Sequence, residues 1–180
     1  MTFFELLKSR RSIRQYSDQK IEEEKISQLT AAALMSPASK RSNPWEFIVV
    51  EEKEMLKKLS ECRNNGSQML AGAPLAVVVL ADTSKSDVWI EDVSIAALII
   101  QLQAQDLGLG SCWVQIYNRR KDDLMSSEDY IRELLGVPEK YAVLCVVSIG
   151  YSAEVRSPHQ TELLAYNKIH RGKFKCLLTI

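Results

Sequence analysis

The sequence predicts an α+β fold: one sheet, mostly antiparallel, with helices on both sides. Three observations carry this. Four apolar segments of strand length are separated by helical patterns without the regular strand–helix–strand alternation that builds a parallel sheet. One of them, 74–81, is apolar enough to be covered on both faces. The longest helical pattern, 88–107, is apolar around much of its circumference, at Val93, Ala96, Ala97, Leu98, Ile99, Ile100 and Leu102, and so belongs in the middle of something larger. The chain has 180 residues, enough to bury a sizeable core, and residues 1–180 read as one domain.

Taken in order, residues 2–9 form a short amphipathic helix with Phe3, Phe4, Leu6 and Leu7 on its apolar side. Residues 22–34 form a second helix, with acidic residues in the first turn, where the helix dipole favours them. Pro37 closes it, because a residue before proline avoids the helical region. A loop of small and polar residues, 36–45, lies between two prolines and offers a ligand close approach to backbone and hydroxyl groups. Residues 45–50 read as a strand and 51–62 as a surface helix with Met55, Leu56 and Leu59 inward. After strand 74–81 and helix 88–107, whose Ala96, Ala97 and Ala104 let a neighbouring helix pack closely, Gly108-Leu109-Gly110 stops the helix. That glycine pair follows a helix rather than a strand, so it is not a dinucleotide fingerprint. Residues 111–116 are a third strand. Ser127 caps a helix ending at Leu135, with Gly136 behind it. Residues 141–151 are the fourth strand, and the last thirty residues are polar and irregular apart from the apolar run 176–180.

Charge excludes some functions. Lys+Arg and Asp+Glu balance at 23 each, so no global field recruits nucleic acid or an anionic membrane, and an anion site must be local. The N-terminus lacks the pattern of a secretory signal, and no apolar stretch approaches a membrane span. Cys62, Cys112, Cys145 and Cys176 are far apart, without a C-x-x-C pair. With only His159 and His170 beside them, a zinc site is not expected and a reducing, cytoplasmic setting is. Cys145 reads as a small buried hydrophobe.

The local anion site falls at Ser9-Arg10-Arg11-Ser12-Ile13-Arg14. Arginine offers a rigid, permanently charged fork that matches a phosphate in two-point geometry, and serine adds a neutral donor. In an extended chain Arg10, Ser12 and Arg14 point to one side and Arg11 and Ile13 to the other. A solvated basic turn is the alternative reading of the same residues.

Four segments together resemble the FMN-dependent nitroreductase family. Arg10-Arg11-Ser12-Ile13-Arg14 resembles its R-x-S-x-R/K opening. Residues Pro37 to Trp45 resemble its P-S-x-x-N-x-Q-P-W loop. Asp92 to Trp113, ending Gly108-Leu109-Gly110-Ser111-Cys112-Trp113, is similar to its central helix and G-L-G-x-C-W strand entry. Lys168-Ile169-His170 resembles its C-terminal basic pair. The order and spacing match over nearly the whole chain.

The resemblance implies a nitroreductase-type fold and a homodimer with FMN at the interface. It implies a long central helix in that interface and a C-terminal extension reaching onto the partner subunit. By the same matching, Arg10 and Ser12 hold the FMN phosphate and ribityl chain with help from Arg11, and Arg14 tunes the flavin from its N1/C2 edge. Pro37, Ala38, Ser39 and Asn43 of the other subunit contact the dimethylbenzene and ribityl side. Trp113, Val114 and Gln115 pass the ring, and Lys168 and His170 complete the phosphate clamp.

The chain departs from the pattern at Arg41, where the family usually has Asn, at Asn43, where it has Gln, and at His170, a weaker cation for which Arg171 is a substitute. Trp45 and Trp113 read first as core aromatics, and Cys112 as an inert thiol. The activity implied is hydride transfer from NADH or NADPH through flavin N5 to a nitroaromatic, quinone or related acceptor, by a ping-pong mechanism. No residue serves as general acid or nucleophile, because the chemistry is the cofactor's. A dehalogenase-like or flavin-processing enzyme of the same fold, and a non-catalytic dimeric flavin-binding protein, are the alternatives.

Overall fold

The computed structural model describes residues 1–175, so the run 176–180, with Cys176, lies outside the described residues. The sheet has four strands, β1 (Trp45–Val50), β2 (Leu75–Asp82), β3 (Gly110–Gln115) and β4 (Tyr141–Gly150), in the spatial order β1-β2-β4-β3. Every neighbouring pair is antiparallel. The expected α+β class and its antiparallel sheet are therefore present.

Among the described residues five α-helices accompany the sheet: α1 (Phe3–Ser9), α2 (Glu23–Leu34), α3 (Lys53–Leu59), α4 (Trp89–Asp106) and α5 (Ser127–Leu135). Two cores result, one on each face. In the first, Ile26 and Leu29 of α2 and Val93, Ala97 and Ile100 of α4 pack on Val77, Val79 and Leu144. In the second, Leu56 and Leu59 of α3 and Ile131 of α5 pack on Val78, Leu80 and Val146. Alternate residues of β2 thus serve opposite cores, as the two-residue period of a strand requires. All eight residues of β2 are buried; Leu75 to Ala81 form the uninterrupted apolar run, and Asp82 ends it.

Three details differ from the sequence reading. α5 is capped by Ser126, whose hydroxyl accepts from the Asp129 amide at 3.0 Å. Ser127, one residue on, already has helical backbone and is fully buried, so it points into the core rather than back at the amides. Gln68–Gly72 forms a 3-10 turn that seats Leu70 in the second core. In α1, Leu6 alone is buried; Phe3 and Phe4 stay 66% and 59% exposed, with Leu7 open beside them. The same side of the molecule leaves Ile95 and Leu98 of α4 exposed, Leu98 at 46%. A cleft of about 340 Å³ runs between the two helices, lined by Phe3, Leu6, Ile99 and Leu102 among others. No helix among the described residues is long and apolar enough to cross a membrane.

Strand register separates the two ends of the sheet. Trp45 of β1 pairs with Ala81, and Asp82 with Tyr141, at one end. Leu75 pairs with Ile149, and Gly110 with Gly150, at the other. The loop before β1 therefore sits at the opposite end from the start of β3.

Candidate functional site

Residues 10–14 leave α1 in extended form and lie along the outer edge of β3. Ser12 bridges Ser111 in parallel, and the Ile13 amide donates to the Ser111 carbonyl at 2.9 Å. Ile13 is buried, which fixes the side on which its neighbours stand. Tyr16 locks the far end: its Oη donates to the Ile13 carbonyl at 2.6 Å and lies 2.8 Å from Ser148 Oγ. Burial pushes the Tyr16 pKa up, so the phenol stays a neutral donor.

This close approach needs Gly110. A Cβ there would fall 2.8 Å from Ile13 Cβ, inside any tolerated contact. Gly110→Ala is expected to push residues 10–14 off β3, at a cost of about 1–3 kcal/mol in stability by overpacking, with anion affinity falling by about tenfold. Chemical denaturation and flavin titration of the variant check both effects.

Arg10, Arg11, Ser12 and Arg14 line one cleft of about 320 Å³, which Arg156 and His159 complete. The segment after β4 folds back over the arginine stretch to do this. The Ala153 amide donates to the Gln15 carbonyl, and the His159 amide to the Lys8 carbonyl, each at 2.9 Å. The expected alternation holds at Ile13 but not at Arg11, whose long side chain reaches round and donates to the Ser157 carbonyl. Among the described residues the Arg10 and Arg14 guanidiniums form no hydrogen bond or ion pair, so their donors are free for a ligand.

Arg156 and His159 were missed by the sequence reading. The signal available was two cationic residues soon after the last strand, and no periodicity ties them to residues 10–14. Lys168 and His170 are not among the residues lining the cleft. Lys168 ends a 3-10 turn, Tyr166–Lys168, and the His170 ring packs on Phe174 with centroids 4.5 Å apart.

Glu154 holds the fold-back in place. Its carboxylate accepts from the Arg14 amide at 2.6 Å and pairs with Arg156 at 2.5 Å. The Arg14 amide, and after it Arg156, hold its pKa below the usual carboxylate range. A carboxylate so lowered stabilises the fold fully above its ordinary pKa, and the contribution is lost as pH falls through the lowered value. Glu154→Gln should therefore have a lower Tm than the parent at neutral pH, with the gap closing as the solution is acidified; thermal melts across the acid range test this.

β3 carries the next expected residues. Trp113 is half-buried, and its Nε1 donates to Gln115 Oε1 at 2.9 Å; Gln115 Nε2 in turn donates to the Tyr117 carbonyl at 3.1 Å. The Val114 side chain is fully buried in the second core, so only its backbone is left for a ligand. Trp45 is a core residue, its Nε1 bonded to the Ala33 carbonyl at 3.1 Å. Cys62, Cys112 and Cys145 are buried free thiols. Burial raises the pKa of each, that of Cys62 to about 11, so they are protonated and inert near neutrality.

The loop holding Pro37, Ala38, Ser39 and Asn43 lies at the other end of the sheet, so one chain does not bring it to the arginine cleft. It is an unusual loop. Lys40, Arg41 and Asn43 have φ of 53°, 56° and 45°, the left-handed region that residues with a side chain seldom adopt. Ser36 Oγ and Ser42 Oγ, towards its two ends, are buried without a hydrogen-bond partner among the described residues.

A four-stranded antiparallel sheet, helices on both faces and a cleft of guanidinium groups on its edge strand define an α+β protein with a concentrated local positive charge. The chain belongs to the nitroreductase family, an oxidoreductase family whose profile matches residues 7–63 and 55–151. It is similar to an FMN-dependent nitroreductase from Clostridium difficile R20291, 52% identical, with a TM-score of 0.94 over 96% of this chain and 100% of that one. Two relatives carry the name "Putative NADH dehydrogenase/NAD(P)H nitroreductase". The one from Archaeoglobus fulgidus is 41% identical over 94% of this chain and 97% of its own length. The one from Methanothermobacter thermautotrophicus is 37% identical over 97% and 88%.

Proposed function

We infer that the protein is an FMN-dependent oxidoreductase that uses NADH or NADPH to reduce a nitroaromatic, quinone or related small acceptor, donor and acceptor taking turns at one site. The observation that carries this is the cleft of Arg10, Arg11, Ser12, Arg14, Arg156 and His159 on the edge of β3, in a chain of this family. The residues fit the cofactor. Free guanidinium forks suit a phosphate, and the orphaned Ser36 and Ser42 hydroxyls are donors waiting for a polar partner. When bound, FMN supplies the hydride chemistry between nicotinamide and acceptor.

The chain's own residues bind and orient. Arg10, Ser12, Arg156 and His159 hold the phosphate, with Arg11 bracing the fold-back. Arg14 stands further along the edge, where a cation favours the reduced ring. Trp113, Val114 and Gln115 present the outer edge of β3 to the ring. Pro37, Ala38, Ser39 and Asn43 come from a second copy of the chain, because their own loop is at the far end of the sheet. The exposed apolar side chains of α1 and α4 are of the kind an obligate homodimer buries. The tail's Lys168 and His170 join the clamp only by reaching that second copy.

Steady-state oxidation of NADH and of NADPH by the FMN-loaded protein, with and without a nitroaromatic, tests the activity. Acceptor-dependent oxidation with parallel double-reciprocal lines is expected. Oxidation no faster than with free FMN would leave a flavin-binding protein without this activity.

A further inference from the structure

The geometry points to Asp92 as a positioning residue: it holds the 37–44 loop in the shape that meets the flavin, through the Ser39 amide. The inference rests on the reading above, in which that loop is the second copy's share of the FMN site. Asp92 lies in the first turn of α4 and is only 4% exposed. Its Oδ1 accepts from the Ser39 amide at 2.7 Å, and its Oδ2 from the Ser86 hydroxyl at 2.7 Å. A buried carboxylate is costly unless its oxygens are matched by donors, and these two donors come from two different segments. One is the loop; the other is the turn entering α4, where Ser86 Oγ also accepts from the Val88 amide at 3.3 Å.

The Ser39 contact falls immediately before the strained part of the loop. Lys40, Arg41 and Asn43 all have positive φ, a conformation that persists in such residues only where surrounding contacts over-determine it. The part-buried bond from the Ser39 amide to Asp92 sets the entry to this stretch. Lys40 adds only an exposed pairing with Asp87 at 3.8 Å, and pairs of that kind contribute little. Without Asp92 the Ser39 amide loses its partner, and the left-handed residues are left to the turn's own bonds, Arg41 amide to Ala38 carbonyl at 3.2 Å and Ser42 amide to Ser39 carbonyl at 2.9 Å, which do not anchor the loop to α4.

Three variants separate this role from simple support of α4. Asp92→Ala removes both contacts. Asp92→Asn keeps an oxygen for the Ser39 amide and places an amide against Ser86. Ser86→Ala removes only the contact within the α4 entry. Asp92→Ala is expected to raise the FMN Kd about tenfold, the scale of one lost buried hydrogen bond. Asp92→Asn and Ser86→Ala should stay within about threefold of the parent.

Hydrogen exchange on the apoprotein gives a readout independent of flavin. The Ser39 amide should be protected in the parent and in Asp92→Asn, and exposed in Asp92→Ala. If Asp92→Ala does not fold, Asp92→Glu, which displaces the carboxylate by a methylene, takes its place with the same expectation. Unchanged Ser39 exchange and FMN affinity in Asp92→Ala overturn the inference while leaving the flavin reading intact. A parent protein that binds no FMN overturns the flavin reading and this inference with it.

Discussion

Leu98→Glu is expected to give a monomer that takes up no FMN. Leu98 is 46% exposed in the single chain, yet it belongs to a helix whose other face is packed into the first core at Val93, Ala97 and Ile100. Ile95 and Leu98, and Phe3 and Phe4 of α1, leave an apolar surface that water meets at a cost of about 25 cal/mol for each Å². In the proposed homodimer a second copy covers it. A carboxylate placed there must be buried unpaired, which costs several kcal/mol and disfavours association. Because the loop at 37–44 and the arginine cleft stand at opposite ends of the sheet, losing the dimer is expected also to divide the proposed flavin site. Light scattering and flavin titration of the variant read the two effects together. A dimeric variant that still binds FMN would remove α4 from the interface.

Arg10→Ala and Arg14→Ala are expected to fail in different ways. Both side chains line the cleft, and among the described residues neither guanidinium is paired. In the proposed site Arg10 holds the phosphate, so its loss is expected to remove charge-assisted bonds worth about 1.5–3 kcal/mol, roughly a 10- to 150-fold rise in the FMN Kd. In the proposed site Arg14 stands at the ring edge, beside the part of the cofactor whose charge changes during turnover. Arg14→Ala should therefore retain FMN within a few-fold and lose turnover by roughly tenfold or more, the size of one lost contact to developing charge. Equilibrium dialysis with FMN, and kcat measured at saturating FMN, separate the two. Equal losses in both variants would undo the assignment.

How much could be read from residue order follows from the range of the interactions. Strands β1, β2 and β4 were legible because sheet cores demand long apolar runs from the segment itself. α4 was legible for the same reason, and its Leu98 signalled a face needing cover. The arginine stretch was legible because its cationic and hydroxyl groups lie within six residues. Arg156 and His159 were not, because they reach the cleft through contacts such as Arg11 with Ser157, far apart in sequence and without periodicity. The helix cap slipped by one residue, from Ser126 to Ser127, because two adjacent serines differ only in which faces the core. Asp92 stood out only as the first residue of the segment resembling the family's central helix; its grip on Ser39 depends on tertiary placement alone.

The central claim is that the guanidinium cleft near the chain's start seats riboflavin phosphate. Its most direct test is to add FMN to the apoprotein, remove the excess by gel filtration, and record the visible spectrum of the protein peak. Saturable flavin absorbance that travels with the protein, and is lost in Arg10→Ala, is the predicted result. A colourless protein peak after incubation with excess FMN would contradict it.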